Sequence, residues 1–322
     1  MKSNNLARDF FKSVEKYRHR ACFKYKKENE WKSLSWLEVG EKVKEVALGL
    51  SVLGVKKGDA VALFANTCME WTVADLAILS LGAVSVPIYQ SNTPDQVAYI
   101  LNDSGARWSF VENNHLLKKI KAELSNLPSL QKVILFHGKK ESHEMQMTLE
   151  ELQKVGTAEG NEADWKEGLE NIDPSQTATL VYTSGTTGPP KGAILTHGNF
   201  LAGIDACTSL FTISENDTSI LFLPLAHILA REMQFYHLRV GFTQAFAESI
   251  DKLVDNLAEV KPHFFVAVPR IFEKVYEKIL QQVEAGSPTK KAIFKWGVEV
   301  GNEVSRRAQK KTIPILDFMV TK

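Results

Sequence analysis

Cysteine is scarce. Cys22, Cys68 and Cys207 are the three in 322 residues, scattered and without a C-x-x-C pair. So few dispersed thiols exclude a disulfide framework and a cysteine zinc site, and they fit reduced packing residues in a cytosolic protein. An excess of one charge is also lacking. The formal net charge is +1, so no global field attracts nucleic acid. The lysine clusters at 42–44, 118–121 and 139–140 read as solvated helix faces or turns. Long apolar runs are missing. The most apolar window, residues 72–88, carries Asp75, Gly82 and Pro87, and is shorter than the roughly 20 residues a spanning helix needs. The first twenty residues hold no apolar stretch of the signal-peptide kind, which sets an expectation of a cytoplasmic chain. Two enzyme signatures are missing too. The eight histidines show no H-E-x-x-H or Cys/His ligand spacing, and no G-x-S-x-G elbow offers a hydrolase serine.

What is present is ordinary globular material, 44% apolar and 24% charged. Short β-branched runs predict strands at 60–64, 84–89, 108–112, 132–136, 179–182, 219–222, 243–246 and 264–268. Amphipathic stretches at 34–53 and 93–104 predict helices. So do the stripe Ile250, Leu253, Val254, Leu257, which Pro262 ends, and the stripe Ile271, Val275, Ile279, Leu280, Val283. This alternation predicts an α/β fold with a largely parallel sheet. Residues 138–174, polar, acidic and punctuated by Gly156, Gly160 and Gly168, read as a surface connection between two α/β units.

Chemistry concentrates in Thr183-Ser184-Gly185-Thr186-Thr187-Gly188-Pro189-Pro190-Lys191-Gly192. The loop leaves the predicted strand at 179–182, and its glycines let backbone N–H groups approach an anion without a Cβ in the way. Hydroxyls add donors and Lys191 adds a positive charge. That set suits a polyphosphate. It is not the P-loop G-x-x-x-x-G-K-[ST]. Counted from Gly185, the second glycine would fall on Pro190, which has no N–H, and the magnesium-binding hydroxyl on Gly192, which has none.

The segment YTSGTTGPPKGAILTHGN resembles the signature loop of the AMP-forming acyl-CoA synthetases, the adenylate-forming superfamily. Residues 54–62, 66–71, 77–87 and Leu223-Pro224-Leu225-Ala226-His227 resemble further segments of it. Residues 268–276 and 292–301 resemble the long-chain fatty acid–CoA ligase branch. The resemblance implies two stacked α/β subdomains in αβαβα layers, with residues 1–172 giving the first and 173–322 the second. It also implies that the family's small C-terminal domain lies outside this chain, since residues 315–322 look like the start of another element.

The resemblance further implies ATP, magnesium and coenzyme A as reactants around a fatty acid. Ser184, Gly185, Thr186, Thr187 and Gly188 would cradle the β- and γ-phosphates, with Lys191 on the pyrophosphate side and Thr183 a magnesium contact. His227 would orient and polarise near the acyl carboxylate, which, already ionised, needs no general base. Arg231, one turn on, is a substrate-side candidate on the His227 face, with an ion pair as the competing role. His197 reads as a capping residue, and Arg270 and Glu273 as structural. An acyl tunnel would draw on Ile228, Leu229, Ala230, Met233, Phe235, Tyr236 and residues 200–211, which core packing explains equally. Long-chain substrates partition into bilayers, which makes peripheral membrane attachment compatible with this reading. Two alternatives stay open: an adenylate-forming ligase for a short, aryl or amino acid, and a non-catalytic nucleotide- or acyl-binding remnant.

Overall fold

The computed structural model describes residues 5–141, 144–183 and 189–310. In chain order the elements are α1 (Leu6–Tyr17), β1 (Ala21–Lys27), β2 (Glu30–Ser35), α2 (Trp36–Val52), β3 (Ala60–Phe64), α3 (Met69–Ser80), β4 (Val84–Ile88), α4 (Pro94–Asp103) and β5 (Trp108–Val111). They continue with α5 (Asn114–Ala122), β6 (Lys132–Leu135), β7 (Gln146–Thr148), α6 (Leu149–Glu159), α7 (Glu162–Glu170), β8 (Thr177–Thr183), β9 (Lys191–Thr196) and α8 (His197–Leu210). The last are β10 (Thr218–Leu221), α9 (Ile228–Val240), β11 (Thr243–Phe246), α10 (Leu253–Val260), α11 (Pro269–Glu284) and α12 (Pro288–Lys310).

The chain divides into two compact units, Met1–Val266 and Ala267–Lys322. The first holds two sheets. One has seven strands in the order β7-β6-β5-β3-β4-β8-β9, parallel except for the antiparallel edge strand β9. The other has four, β10-β11-β1-β2, in which β1 and β11 run parallel. Strands β3, β4 and β5 are nearly all buried, as expected of parallel strands covered on both faces. Their side chains join Val97, Leu101, Leu117 and Ile120 of α4 and α5 in one core. Pro87 sits inside β4 and has no N–H for a ladder; β4 and β8 pair only at Ser85 and Thr179. In the second unit α11 starts with Pro269 at its first turn, and α12 follows.

The expected α/β architecture holds, and most predicted strands form. Three local expectations change. Residues 138–174 carry β7, α6 and α7, with Leu152, Trp165 and Leu169 buried. Glycine there serves close approach: a Cβ on Gly156 would lie 2.1 Å from the Glu45 carbonyl oxygen, so α6 packs backbone to backbone on α2. The predicted strand at 264–268 reduces to one parallel bridge between Phe264 and Ser219. His263 Nδ1 takes the Thr218 N–H at 2.9 Å, a donor that a ladder would need. Third, the expected boundary between residues 172 and 173 falls between α7 and β8, and strands cross it both ways. The β1–β2 hairpin joins the later sheet, and β8 and β9 complete the earlier one. Residues 315–322, read as the start of another element, lie outside the described residues.

Candidate active site

The seven-stranded sheet changes direction at its centre: β4 lies on one side of β3 and β5 on the other. Connections leaving the carboxyl ends of such strands diverge and open a crevice, the usual ligand position in an open α/β sheet. Here a cavity of about 730 Å³ lies along that edge, lined by Asn66, Thr67 and Glu70 after β3, Gln90 after β4, Glu112 after β5 and His137 after β6. From the other sheet come Phe222, Phe246 and Glu248. Glu112 fixes the crevice. Its Oε2 accepts from Asn66 N and Nδ2, both at 2.7 Å, tying together the two loops that flank the change of direction.

The signature segment leaves the same edge. Strands β8 and β9 form a hairpin, and Thr183 and Lys191 pair across its mouth, both exposed. Ser184, Gly185, Thr186, Thr187 and Gly188 lie outside the described residues. Below the mouth Tyr182 faces Gly192, where a Cβ would meet the ring at 3.1 Å. The Tyr182 hydroxyl donates to Asp103 at 2.6 Å, and burial together with that carboxylate holds it protonated well above the ordinary tyrosine range. Helix α8 then begins at a capping box: Thr196 Oγ1 accepts from Asn199 N, and Asn199 Oδ1 from Thr196 N. The cap expected of His197 is therefore made by Thr196. His197 is buried, with Nδ1 accepting from Leu6 N at 3.3 Å, and burial next to Arg231 lowers its pKa to about 4.

His227 ends the segment after β10. Thr67 Oγ1 donates to the Leu223 carbonyl at 2.7 Å and accepts from Leu225 N at 3.1 Å, so the crevice loop after β3 holds this segment in place. His227 is the exposed N-cap of α9, its Nδ1 accepting from Leu229 N at 3.3 Å. An accepting Nδ1 places the proton of the neutral ring on Nε2, leaving an N–H donor free to meet an anionic oxygen at a helix N-terminus.

Arg231 departs from its expected place. It has no exposure, and Nη2 donates to both oxygens of Asp75 on α3, at 2.7 and 2.9 Å. Nη1 donates to Thr179 Oγ1 on β8 at 2.6 Å. Trp71, Phe200 and Phe235 surround the guanidinium, each ring centroid 5.4 to 5.5 Å away. Burial pulls its pKa down and Asp75 pulls it back. Its Nε–H has no partner among the described residues, yet a guanidinium enclosed in the core is closed to a substrate. The ion-pair alternative is the arrangement present, in the core rather than at the surface. Among the tunnel candidates, Phe200, Ala230, Met233, Phe235 and Tyr236 are buried and Ile228 and Leu229 exposed; none lines the cavity. Arg270 and Glu273 are exposed on α11. Sequence reading did not single out Asn66 and Glu112 as site residues, although each follows an apolar strand at the carboxyl end, where such groups gather.

A hairpin carrying the expected phosphate loop, at the carboxyl edge of a largely parallel sheet beside a crevice, defines an α/β protein with a ligand site of the open-sheet kind. The AMP-binding enzyme family matches residues 10–318, and the chain belongs to that family. It is 37% identical over 249 residues to the long-chain-fatty-acid–CoA ligase FadD15 of Mycobacterium bovis, covering 76% of this chain and 40% of that one. With the human long-chain-fatty-acid–CoA ligase ACSBG2 it shares 27% identity over 93% of this chain and 46% of the relative. Similar folds occur in a long-chain-fatty-acid–CoA ligase from Archaeoglobus fulgidus (TM-score 0.72, 24% identity, 88% of this chain and 54% of that one). The adenylation domain of a carboxylate reductase from Mycobacterium chelonae is another (TM-score 0.77, 20% identity, 91% and 50%). The chain spans about 40% of the length of the curated relatives it matches over 249 residues.

Proposed function

We propose that the protein carrying this chain is a long-chain fatty acid–CoA ligase that uses ATP, magnesium and coenzyme A. In the first step a fatty acid carboxylate oxygen attacks the α-phosphorus of ATP. The bond to the pyrophosphate oxygen breaks, leaving acyl-adenylate and pyrophosphate. In the second, the sulfur of coenzyme A attacks the acyl carbon and AMP leaves. The carrying observation is the pairing of Thr183 with Lys191 at an exposed hairpin mouth on the crevice edge. The names of the relatives support the acid and thiol.

Charge builds on phosphate oxygens in the first step, so preorganised donors are what the protein must supply. Lys191 would meet the leaving pyrophosphate, with residues 184–188 around the β- and γ-phosphates. His227 Nε2–H would hold an oxygen of the acid or the α-phosphate. Thr183 offers one neutral hydroxyl to magnesium, an ion that takes most of its remaining ligands from phosphate and water. When bound, magnesium would neutralise phosphate charge. The acid and ATP are water-soluble at their heads while the acyl tail is not, so we place the reaction in the cytoplasm, with access to lipid surfaces.

The test is ATP–pyrophosphate exchange by the complete gene product, over acids from acetate to long-chain fatty acids plus aryl and amino acids. Exchange that peaks with long-chain acids supports the proposal. Exchange confined to short, aryl or amino acids would keep adenylation and replace the substrate class. Absence of exchange with every acid would leave the binding-remnant reading.

A further inference from the structure

The Arg231–Asp75 pair joins three elements that each reach the candidate site. Thr179, which takes Arg231 Nη1, lies on β8 four residues before the hairpin mouth at Thr183. Arg231 lies one helical turn after the His227 N-cap. Asp75 belongs to α3, and Thr67, two residues before that helix starts, holds the Leu223–Leu225 segment. The bonds continue outward. Thr179 Oγ1 donates to the Ser85 carbonyl of β4 at 2.7 Å, and Gln234 Nε2 donates to Asp75 Oδ2 at 2.9 Å. Thr72 Oγ1 donates to Gln234 Oε1 at 2.9 Å, a third polar tie between α3 and α9.

Stability alone does not explain such a group. A buried ion pair is seldom worth more than well-packed apolar residues of the same volume. What it adds is direction, because a planar guanidinium shared between a carboxylate and a hydroxyl fixes angles as well as distances. The apolar shell of Trp71, Phe200 and Phe235 keeps water from relaxing them. We infer that Arg231, anchored by Asp75, is a positioning residue for adenylation: it sets the His227 N-cap against the Thr183–Lys191 hairpin mouth. The inference rests on the proposed adenylation chemistry.

The test compares the complete gene product with the double variant Asp75→Leu/Arg231→Met, whose apolar replacements remove the bonds without stranding a charge. Misplacing reacting groups by about 1 Å can slow a reaction roughly 100-fold. The double variant is therefore expected to show a kcat for ATP–pyrophosphate exchange lower by about 10- to 100-fold, with the KM for ATP and the melting temperature little changed. A folded double variant with undiminished kcat overturns the inference. If the double variant does not fold, Thr179→Val decides on the same criterion, since it removes the link from Arg231 to β8, together with the bond to the Ser85 carbonyl, and leaves the Arg231–Asp75 pair in place. Hydrogen exchange on this chain separates the inference from the proposed function. If no acid supports exchange in the unaltered protein, the proposed function fails. Faster amide exchange at residues 180–183 and 228–231 in the variant would still uphold the positioning role, and unchanged exchange there would end it.

Discussion

Glu232 carries a pH-dependent penalty that a single substitution should lift. It projects from α9 toward α8, where a Cβ on Gly203 would lie 2.2 Å from its Oε1, and that oxygen has no hydrogen-bond partner. Burial raises the carboxyl from 4.5 to about 7. Cys207 is the titratable neighbour on α8, its thiol raised by its own burial and by Glu232. A raised carboxyl means that the folded chain binds more protons than the unfolded one between pH 4.5 and about 7. Stability from this group is therefore complete below the unfolded pKa and is lost as pH rises through the folded one. At about 1.4 kcal/mol per pH unit the bound is near 3 kcal/mol. The side chain is only half-buried, and solvent screening reduces this to about 1 to 2 kcal/mol.

Glu232→Gln removes the titration and keeps the shape. Melting curves of both proteins at pH 5, 6, 7 and 8 should diverge with rising pH and run parallel above about 7. The variant's relative gain over that range should be about 2–6 °C. Any constant cost of burying the amide cancels in the slope. A difference independent of pH, or one that moves against the variant as pH rises, would refute the reasoning.

Three further outcomes are expected. Lys191→Ala should slow adenylation about 100-fold, as loss of one charge-stabilising donor does; an unchanged rate of pyrophosphate exchange removes Lys191 from the chemistry. His227→Ala should lower kcat roughly 10- to 100-fold through its lost donor, and steady-state kinetics that moved only KM would assign it to binding. Gly156→Ala places a methyl group 2.1 Å from the Glu45 carbonyl oxygen and 2.6 Å from Gly49 N. Parting α2 from α6 should cost about 1–3 kcal/mol, read from urea midpoints, and an unmoved midpoint would show that the helices part freely.

Sequence alone disclosed the parallel core because β3, β4 and β5 are short apolar runs with turns around them. It singled out residues 183–192 because few functions need so many glycines and hydroxyls beside a lysine, and the ends of that segment pair as a hairpin at the crevice edge. The β1–β2 hairpin escaped for a physical reason. Its two turn residues, Glu28 and Asn29, both have positive φ, a geometry ordinarily announced by Asn-Gly or Asp-Gly. Helices α6 and α7 escaped because glycine, read there as loop, instead permits close packing at Gly156. Arg231 was misplaced because its partner is 156 positions away along the chain. Helical spacing from His227 could not reveal a contact with α3.

The second sheet also has a history in time. Thr243 donates to the Ala21 carbonyl across 222 positions, so β1 is made long before its parallel partner β11. At about 5–20 residues per second on a ribosome, that wait lasts on the order of 10 to 45 s. During it β1 has only β2 beside it, and the other edge is bare. Lys24, Lys26 and Lys27 on β1 and Lys32 on β2 place charge along the waiting hairpin, as edge strands elsewhere do to repel unwanted pairing. The same lysine-rich composition that weakens the strand signal in the sequence is also what charges the hairpin whose open edge β11 covers last.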